Sequence, residues 1–206
     1  MENKNIKIIT LWPAGVGKTS IINRIITKNF HANQISTIAI ENTFIEKEYK
    51  KKNIILKLNF IDTAGQERYM YSLPKSYIHN SQIILLVFDT LENLEILRGR
   101  WFSYYKENAD VNNSLFLVVG NKSDLFGDDR EKILNLANEF ADEIDAFFVT
   151  CSAKSNDNID NLENHILKEA KRLIDNEKSG KNKDSSSGNN NRIILGEMQE
   201  KKKCGC

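Results

Sequence analysis

Apolar runs alternate with segments of helical periodicity from residue 5 to about residue 176. The runs "IKIITLW" (6–12), "IILKLNFI" (54–61), "QIILLVFD" (82–89), "SLFLVVG" (114–120) and "AFFVT" (146–150) are short and rich in β-branched or aromatic residues. Strands buried on both faces of a parallel sheet have this composition. Between them lie "SIINRIITKNF" (20–30), "NLEILRGRWFSYYKE" (93–107), "EKILNLANEFADEI" (131–144) and "NLENHILKEAKRLI" (161–174), whose apolar positions recur at intervals near three and four, the stripe of an amphipathic helix. Strand and helix in alternation predict a three-layer α/β domain with helices on both faces of the sheet. The run "ENTFIEKEYKKKN" (41–53) leads straight into "IILKLNFID" and is expected to pair with it as an antiparallel edge hairpin, its lysine-rich turn facing water.

After Ile174 the periodicity fails. "EKSGKNKDSSSGNNNRIILGEMQEKKKCGC" is rich in Ser, Asn, Gly and Lys, broken only by "RIILGEM", and is too polar to offset the entropy of ordering. The chain therefore divides into a domain over residues 1–176 and a flexible tail over 177–206. The tail holds seven Lys or Arg against four Asp or Glu and carries +3, the remainder carries −2, and a net charge of +1 gives no sign of a nucleic-acid partner. No apolar run approaches the roughly 20 residues that span a bilayer, and the start, "MENKNIKIIT", lacks the apolar core of a signal peptide. A cytosolic chain is expected. Cys151 ends an apolar run, while Cys204 and Cys206 stand in "KKKCGC". In a reducing compartment a structural disulfide is not expected, so the last two ask for another role.

The chemistry begins at "GVGKTS" (15–20), between a predicted strand and a predicted helix. Glycines there let backbone N–H groups converge on phosphate oxygens, and the helix N-terminus adds partial positive charge. Lys18 would reach the β- and γ-phosphates, and the Thr19 hydroxyl is placed to bind Mg²⁺. An ordinary glycine-containing turn explains this string alone equally well, so its companions decide. In "FIDTAGQERY" (60–69), Asp62 ends a strand where a carboxylate would hold the Mg²⁺ shell, Gly65 offers an N–H to the γ-phosphate, and Gln66 is positioned to orient an attacking water. "VVGNKSD" (118–124) brings Asn121, Lys122 and Asp124; a carboxylate accepting two donors from one base edge selects guanine over adenine. "TCSAKS" (150–155) follows the last strand, where the Ala153 backbone can meet the guanine carbonyl oxygen. All four strings fall at the carboxyl ends of strands, where α/β sheets bind ligands.

With "GVGKTS", "STIAI", "DTAGQERY", "NKSD" and "SAK" in this order, the chain resembles a small Ras-superfamily GTPase over residues 5 to about 175. The resemblance implies a P-loop GTPase domain: a mostly parallel six-stranded sheet with one antiparallel edge strand and helices on both faces. Carried over residue by residue, it implies that GTP or GDP is held by Gly15, Val16, Gly17, Lys18, Thr19, Ser20, Phe30, Thr37, Gly65, Asn121, Lys122, Asp124, Ser152, Ala153 and Lys154. Mg²⁺ would be held by Thr19, Thr37 and Asp62, with Lys18 and Gln66 acting in hydrolysis. Phe30 resembles the aromatic that packs on guanine, with an ordinary core aromatic as the alternative. Thr37 resembles the threonine that senses the γ-phosphate.

"DTAGQERY" together with a Cys-x-Cys end looks most like a Rab, a regulator of vesicle traffic. No C-a-a-X box is present. The resemblance implies that Cys204 and Cys206 are both geranylgeranylated with the help of an escort protein, because two chains anchor firmly where one does so marginally; a terminal metal-binding or adventitious pair is the alternative. It implies further partners at the switch regions: an exchange factor, a GTPase-activating protein, a GDP-dissociation inhibitor and effectors. The place of action would be the cytoplasmic face of an intracellular membrane, Golgi or endosomal, with cycling through the cytosol. "SYIHNS", "GKTSIINR" and the Cys-x-Cys end resemble the Golgi-associated Rab branch numbered six.

The chain also departs from the family pattern. Trp12 and Pro13 replace the first loop glycine and its neighbour, and Ala14 sits where a side chain approaches the γ-phosphate, so slow intrinsic hydrolysis is expected. Ala39 and Asn42 stand where switch I has glycine and an effector-facing phenylalanine, and Ile61 replaces the tryptophan before "DTAGQE". The rival reading is a catalytically silent, membrane-tethered scaffold that binds guanine nucleotide through an altered loop. Intact Lys18, Thr19, Thr37, Asp62 and Gln66 favour the enzyme.

Overall fold

A computed structural model describes residues 2–11, 14–32, 41–62, 78, 80–108 and 114–177. Its strands are β1 (Glu2–Leu11), β2 (Glu41–Tyr49), β3 (Ile54–Asp62), β4 (Ile83–Phe88), β5 (Leu115–Gly120) and β6 (Phe147–Thr150). They form one six-stranded sheet in the order β2-β3-β1-β4-β5-β6. β2 runs antiparallel to β3, from Glu41 opposite Asp62 to Tyr49 opposite Ile54, and the other neighbouring pairs are parallel. The edge hairpin and the parallel remainder are thus as expected. Every residue of β4 is buried, as a strand covered on both faces must be. β2 instead alternates exposed and half-buried positions along most of its length, the signature of an edge with one wet face.

The helices are α1 (Lys18–Thr27), α2 (Leu91–Ile96), α3 (Phe102–Asn108), α4 (Arg130–Glu143) and α5 (Ile159–Glu177). α2 and α3 form one continuous rod joined by a π-helical turn, Leu97–Trp101, inside the segment expected as a plain α-helix. Gly99 lies in that turn, where its weak helix propensity lowers the cost of the wider winding. Beyond it, Phe102 meets Phe116 and Phe140 edge-on, each at 5.6 Å between ring centroids, and Tyr105 donates its hydroxyl to Ser114 Oγ at 3.1 Å. Aromatic contacts of this geometry add to the area they bury.

α5 buries Ile159, Leu162, Ile166, Ala170 and Ile174, spaced three and four apart along one face. Its polar flank ties the sheet edge down. Lys47 of β2 pairs with Glu163 at 2.6 Å, and Lys28, just past α1, pairs with the same carboxylate. Burial alone would raise the Glu163 pKa; the hydrogen bonds from Lys28 and Lys47 outweigh it and hold the carboxyl below its ordinary value. The lysine-rich turn departs from the sequence expectation in one residue. Lys50 and Lys51 are exposed, but Lys52 pairs with Asp175 at 2.6 Å and donates to the Ile174 carbonyl at 3.3 Å, because the turn lies against the end of α5.

On the same helix His165 stacks on Phe147, with ring centroids 3.5 Å apart and planes 9° from parallel. Burial, then the charges of Lys168 and Arg172, push its pKa down to about 4. The folded chain therefore resists a proton that the unfolded chain accepts below about pH 6.5, and stability falls as pH drops from there toward about 4. Between about pH 7 and about pH 5, the melting temperature of the wild-type chain should fall further than that of His165→Phe. Parallel decline of the two proteins would refute this role for His165.

Candidate functional site

β1 lies between β3 and β4: the chain passes from β1 to the β2–β3 side of the sheet, then from β3 across β1 to β4 and onward the other way, so the direction of the connections reverses at β1. Such a switch point leaves a crevice at the carboxyl ends of the strands. Leu11, Asp62, Phe88, Gly120 and Thr150 end the five strands that open onto it, and in the sequence the motif strings stand at the ends of four of them, β1, β3, β5 and β6.

Between β1 and α1 the chain turns on two glycines in the left-handed region, Gly15 at φ 79° and Gly17 at φ 90°. Residues with a Cβ rarely adopt these angles. Val16 between them is fully buried, which anchors the loop while its backbone curls. Lys18 opens α1 with only 5% of its surface exposed. Burial lowers its pKa to about 8, against the opposing charges of Asp62 and Asp89. The next residue, Thr19, donates its hydroxyl to Asp62 Oδ2 at 2.5 Å, and Asp62 is itself 3% exposed. A hydroxyl and a carboxylate brought together beside the glycine loop are hard oxygen donors suited to Mg²⁺. Thr19 and Asp62 offer two oxygens, so a cation held by them would take its remaining ligands from elsewhere, as Mg²⁺ does from phosphate and water.

The base-binding strings converge on the same loop. Asn121 is 1% exposed; its Nδ2 donates to the Val16 carbonyl at 2.8 Å and its Oδ1 accepts the Ala153 N–H at 3.2 Å. One side chain thus bolts the phosphate loop to the "SAK" loop. Lys122, at φ 56°, donates to the Gly15 carbonyl at 2.8 Å and pairs with Asp89 at 2.6 Å. Asp124 is exposed and available to a base edge. Ser152 is fully buried and accepts the Ser155 N–H at 3.1 Å, bracing that loop from within. Because the Ala153 N–H already reaches Asn121, a guanine oxygen there would share that donor or take the next one, Lys154. Ser20 is half-buried in the first turn of α1, and Phe30, beyond the end of that helix, is half-buried and packs against the core.

Thr37, Gly65 and Gln66 lie outside the described residues, as do Trp12, Pro13, Cys204 and Cys206. Two residues at the site were not anticipated. Asp89 receives Lys122 and also accepts from Asn93 Nδ2 at 2.6 Å; its signal in the sequence was its place at the end of "QIILLVFD", the position Asp62 holds in its own run. Arg24 reaches the "SAK" loop from α1 and stood out only as a cation in an otherwise apolar helical stripe.

Residues 7–172 match the family model described as "Ras family". The chain belongs to the Ras family. Among its relatives, the Ras-related protein Rab-11B of Dictyostelium discoideum is 31% identical over 194 residues, covering 92% of this chain and 84% of that protein. Human Rab-30 is 33% identical over 157 residues, 76% and 75% of the two chains. RABA1h of Arabidopsis thaliana is 30% identical over 173 residues, 82% and 75%. This Ras-family protein is a small GTPase of the Rab type, and its P-loop GTPase fold is the one described above. No helix among its described residues is long and apolar enough to cross a membrane.

Proposed function

We propose that the chain is a Rab-like switch that binds GTP with Mg²⁺, hydrolyses it to GDP and recruits effectors in intracellular vesicle traffic. The observation that carries this reading is the Thr19–Asp62 contact beside buried Lys18, closed over by Asn121. The site supplies a cation for the β- and γ-phosphates, two oxygens for the metal and a rigid tie between the phosphate and base loops. Mg²⁺, when bound, would neutralise charge that develops on the transferred phosphoryl group. Lys18 would stabilise the same charge from the loop side, and Gln66 would orient the attacking water. Thr37 and Gly65 would hold the switch regions while the γ-phosphate is present and release them after hydrolysis. An exchange factor, a GTPase-activating protein, a GDP-dissociation inhibitor and effectors would act through those regions.

Membrane attachment belongs to the same proposal. Prenyl groups on Cys204 and Cys206, added with an escort protein, would hold the chain on the cytoplasmic face of a Golgi or endosomal membrane, and the three adjacent lysines would favour an anionic surface. Single-turnover hydrolysis of preloaded GTP, with and without Mg²⁺, tests the enzyme; the expected rate is slow and Mg²⁺-dependent. Tight guanine binding with no Mg²⁺-dependent hydrolysis, even with a matching activating protein, would leave the silent scaffold. Serine at both Cys204 and Cys206 should leave hydrolysis unchanged and move the protein from the membrane pellet to the soluble fraction, and retention in the pellet would refute the anchor.

A further inference from the structure

Arg24 sits in the last turn of α1 and spends its guanidinium on three backbone carbonyls. Nε donates to Ala153 O at 2.9 Å and Nη2 to Lys154 O at 3.0 Å. Nη1 donates to Lys28 O at 2.8 Å. Its Cζ also stands 5.8 Å from the centroid of the Phe30 ring, within reach of a cation–π contact. One planar group therefore joins the "SAK" loop, the end of α1 and the aromatic that follows it.

A helix-capping role explains the bond to Lys28 but not the other two. The α1 terminus is already closed by the Lys28 N–H on the Arg24 carbonyl at 3.1 Å and by Thr27 Oγ1 on the Asn23 carbonyl at 2.8 Å. A cation near that end would help the dipole without reaching across to another loop. The bonds to residues 153 and 154 close a contact between segments 129 and 130 positions apart. They also fix the orientation of one peptide. The two peptides that flank Ala153 are each held at one group, the first by the Ala153 N–H on Asn121 Oδ1 and the second, Ala153–Lys154, by the Ala153 carbonyl on Arg24. A trans peptide points its carbonyl and the following N–H in opposite directions, so tying the Ala153 carbonyl to α1 aims the Lys154 N–H away from α1.

We infer that Arg24 is a positioning residue for guanine: through its bonds to Ala153 and Lys154 it presets the loop whose backbone donors meet the 6-oxygen of the base. The inference rests on the guanine-nucleotide reading above and adds to it a determinant of base discrimination that does not touch the ligand. A flexible loop would pay its ordering entropy at each binding event, and a preset loop has already paid it on folding. Arginine suits the task because its fork carries several fixed donors, whereas a lysine at the same place is a single point charge.

Two ligands separate this role from a structural one. GDP carries the 6-oxygen; the diphosphate of 2-aminopurine riboside keeps the exocyclic amine and lacks that oxygen together with the N1–H that Asp124 would accept. This second loss is common to wild type and variants, so the change in the ratio reports the oxygen. Arg24→Ala should lose about tenfold more affinity for GDP than for the 2-aminopurine nucleotide, the scale of one charge-assisted hydrogen bond. Arg24→Lys keeps a cation at the helix end; it should hold the melting temperature near that of wild type and still lose most of the discrimination, and it carries the test if the alanine variant folds poorly. Equal losses for both ligands in these variants, or wild-type discrimination in Arg24→Lys, would overturn the inference. A wild-type chain that binds neither nucleotide would sink the guanine-nucleotide reading itself, an outcome distinguishable from wild-type binding with an unaltered ratio in the variants.

Discussion

Gly17→Ala is expected to cost the fold about 3 to 5 kcal/mol and guanine nucleotide affinity at least about a hundredfold. Gly17 sits at φ 90°, and a Cβ built there would lie 2.4 Å from Asn121 Nδ2. The amide cannot swing away cheaply. It is buried, it donates to Val16 O at 2.8 Å, and its oxygen accepts the Ala153 N–H at 3.2 Å. Moving it breaks two buried hydrogen bonds, each costing about 1 to 3 kcal/mol when a partner is left unsatisfied, on top of left-handed strain of about 1 kcal/mol. The phosphate loop and the base loop would come apart together, because Asn121 joins them. Gly15→Ala is the internal control: at φ 79° it shares the backbone strain, but no atom of the described residues lies within 4 Å of its added carbon. Urea denaturation and GDP titration of both variants check the argument, and equal damage from the two would show that strain alone, with no part for Asn121, sets the cost.

That contrast also marks how far the sequence could be read. The order of "GVGKTS", "DTAGQE", "NKSD" and "SAK" pointed to one edge of the sheet as the candidate site, since each string has to stand at the end of a buried strand to do its chemistry, and their described residues meet there. The roles within it were less visible. Asn121 reads as a base contact in its motif, and in the structure its amide is also the bolt between two loops. Asp89 and Arg24 act on partners 33 and 129 positions away, and no local periodicity encodes such a meeting. Strand ends show the same limit. β1 begins at Glu2, well before its apolar run at Ile6, because Glu2–Asn5 pair in register with Ile54–Lys57 of β3; ladder hydrogen bonds extended a strand where side-chain hydrophobicity gave no signal. The π-helical turn at Leu97–Trp101 and the docking of Lys52 on α5 were likewise tertiary outcomes, set by the aromatic packing beyond Gly99 and by Asp175 near the end of α5.

Replacing Lys18 by methionine should reduce GDP affinity by more than about a hundredfold and yet stabilise the nucleotide-free fold by about 2 to 3 kcal/mol at neutral pH. The first effect follows from removing the cation that, on the proposed function, would face the phosphates. The second follows from what that cation costs when no phosphate is present. Burial holds the Lys18 pKa at about 8, below its ordinary 10.5, even with Asp62 and Asp89 pulling it up. A lysine whose folded pKa is lowered makes the folded state bind fewer protons, so it costs stability in full below about pH 8 and ceases to cost it as pH rises toward 10.5. Methionine has similar length, no charge to desolvate and a flexible stem that fills the same space. Asp62 would keep its bond from Thr19, and Asp89 its pairing with Lys122, which limits the penalty of removing their shared neighbour. Denaturation of both nucleotide-free proteins should therefore show the methionine variant ahead at about pH 7, with the gap closing as pH approaches about 10. A variant less stable than wild type at neutral pH would contradict it. In the wild-type chain the phosphates of GDP would raise the Lys18 pKa again, so binding above about pH 8 should take up a proton. Calorimetry in two buffers of different ionisation enthalpy measures that uptake, and Lys18→Met should abolish it.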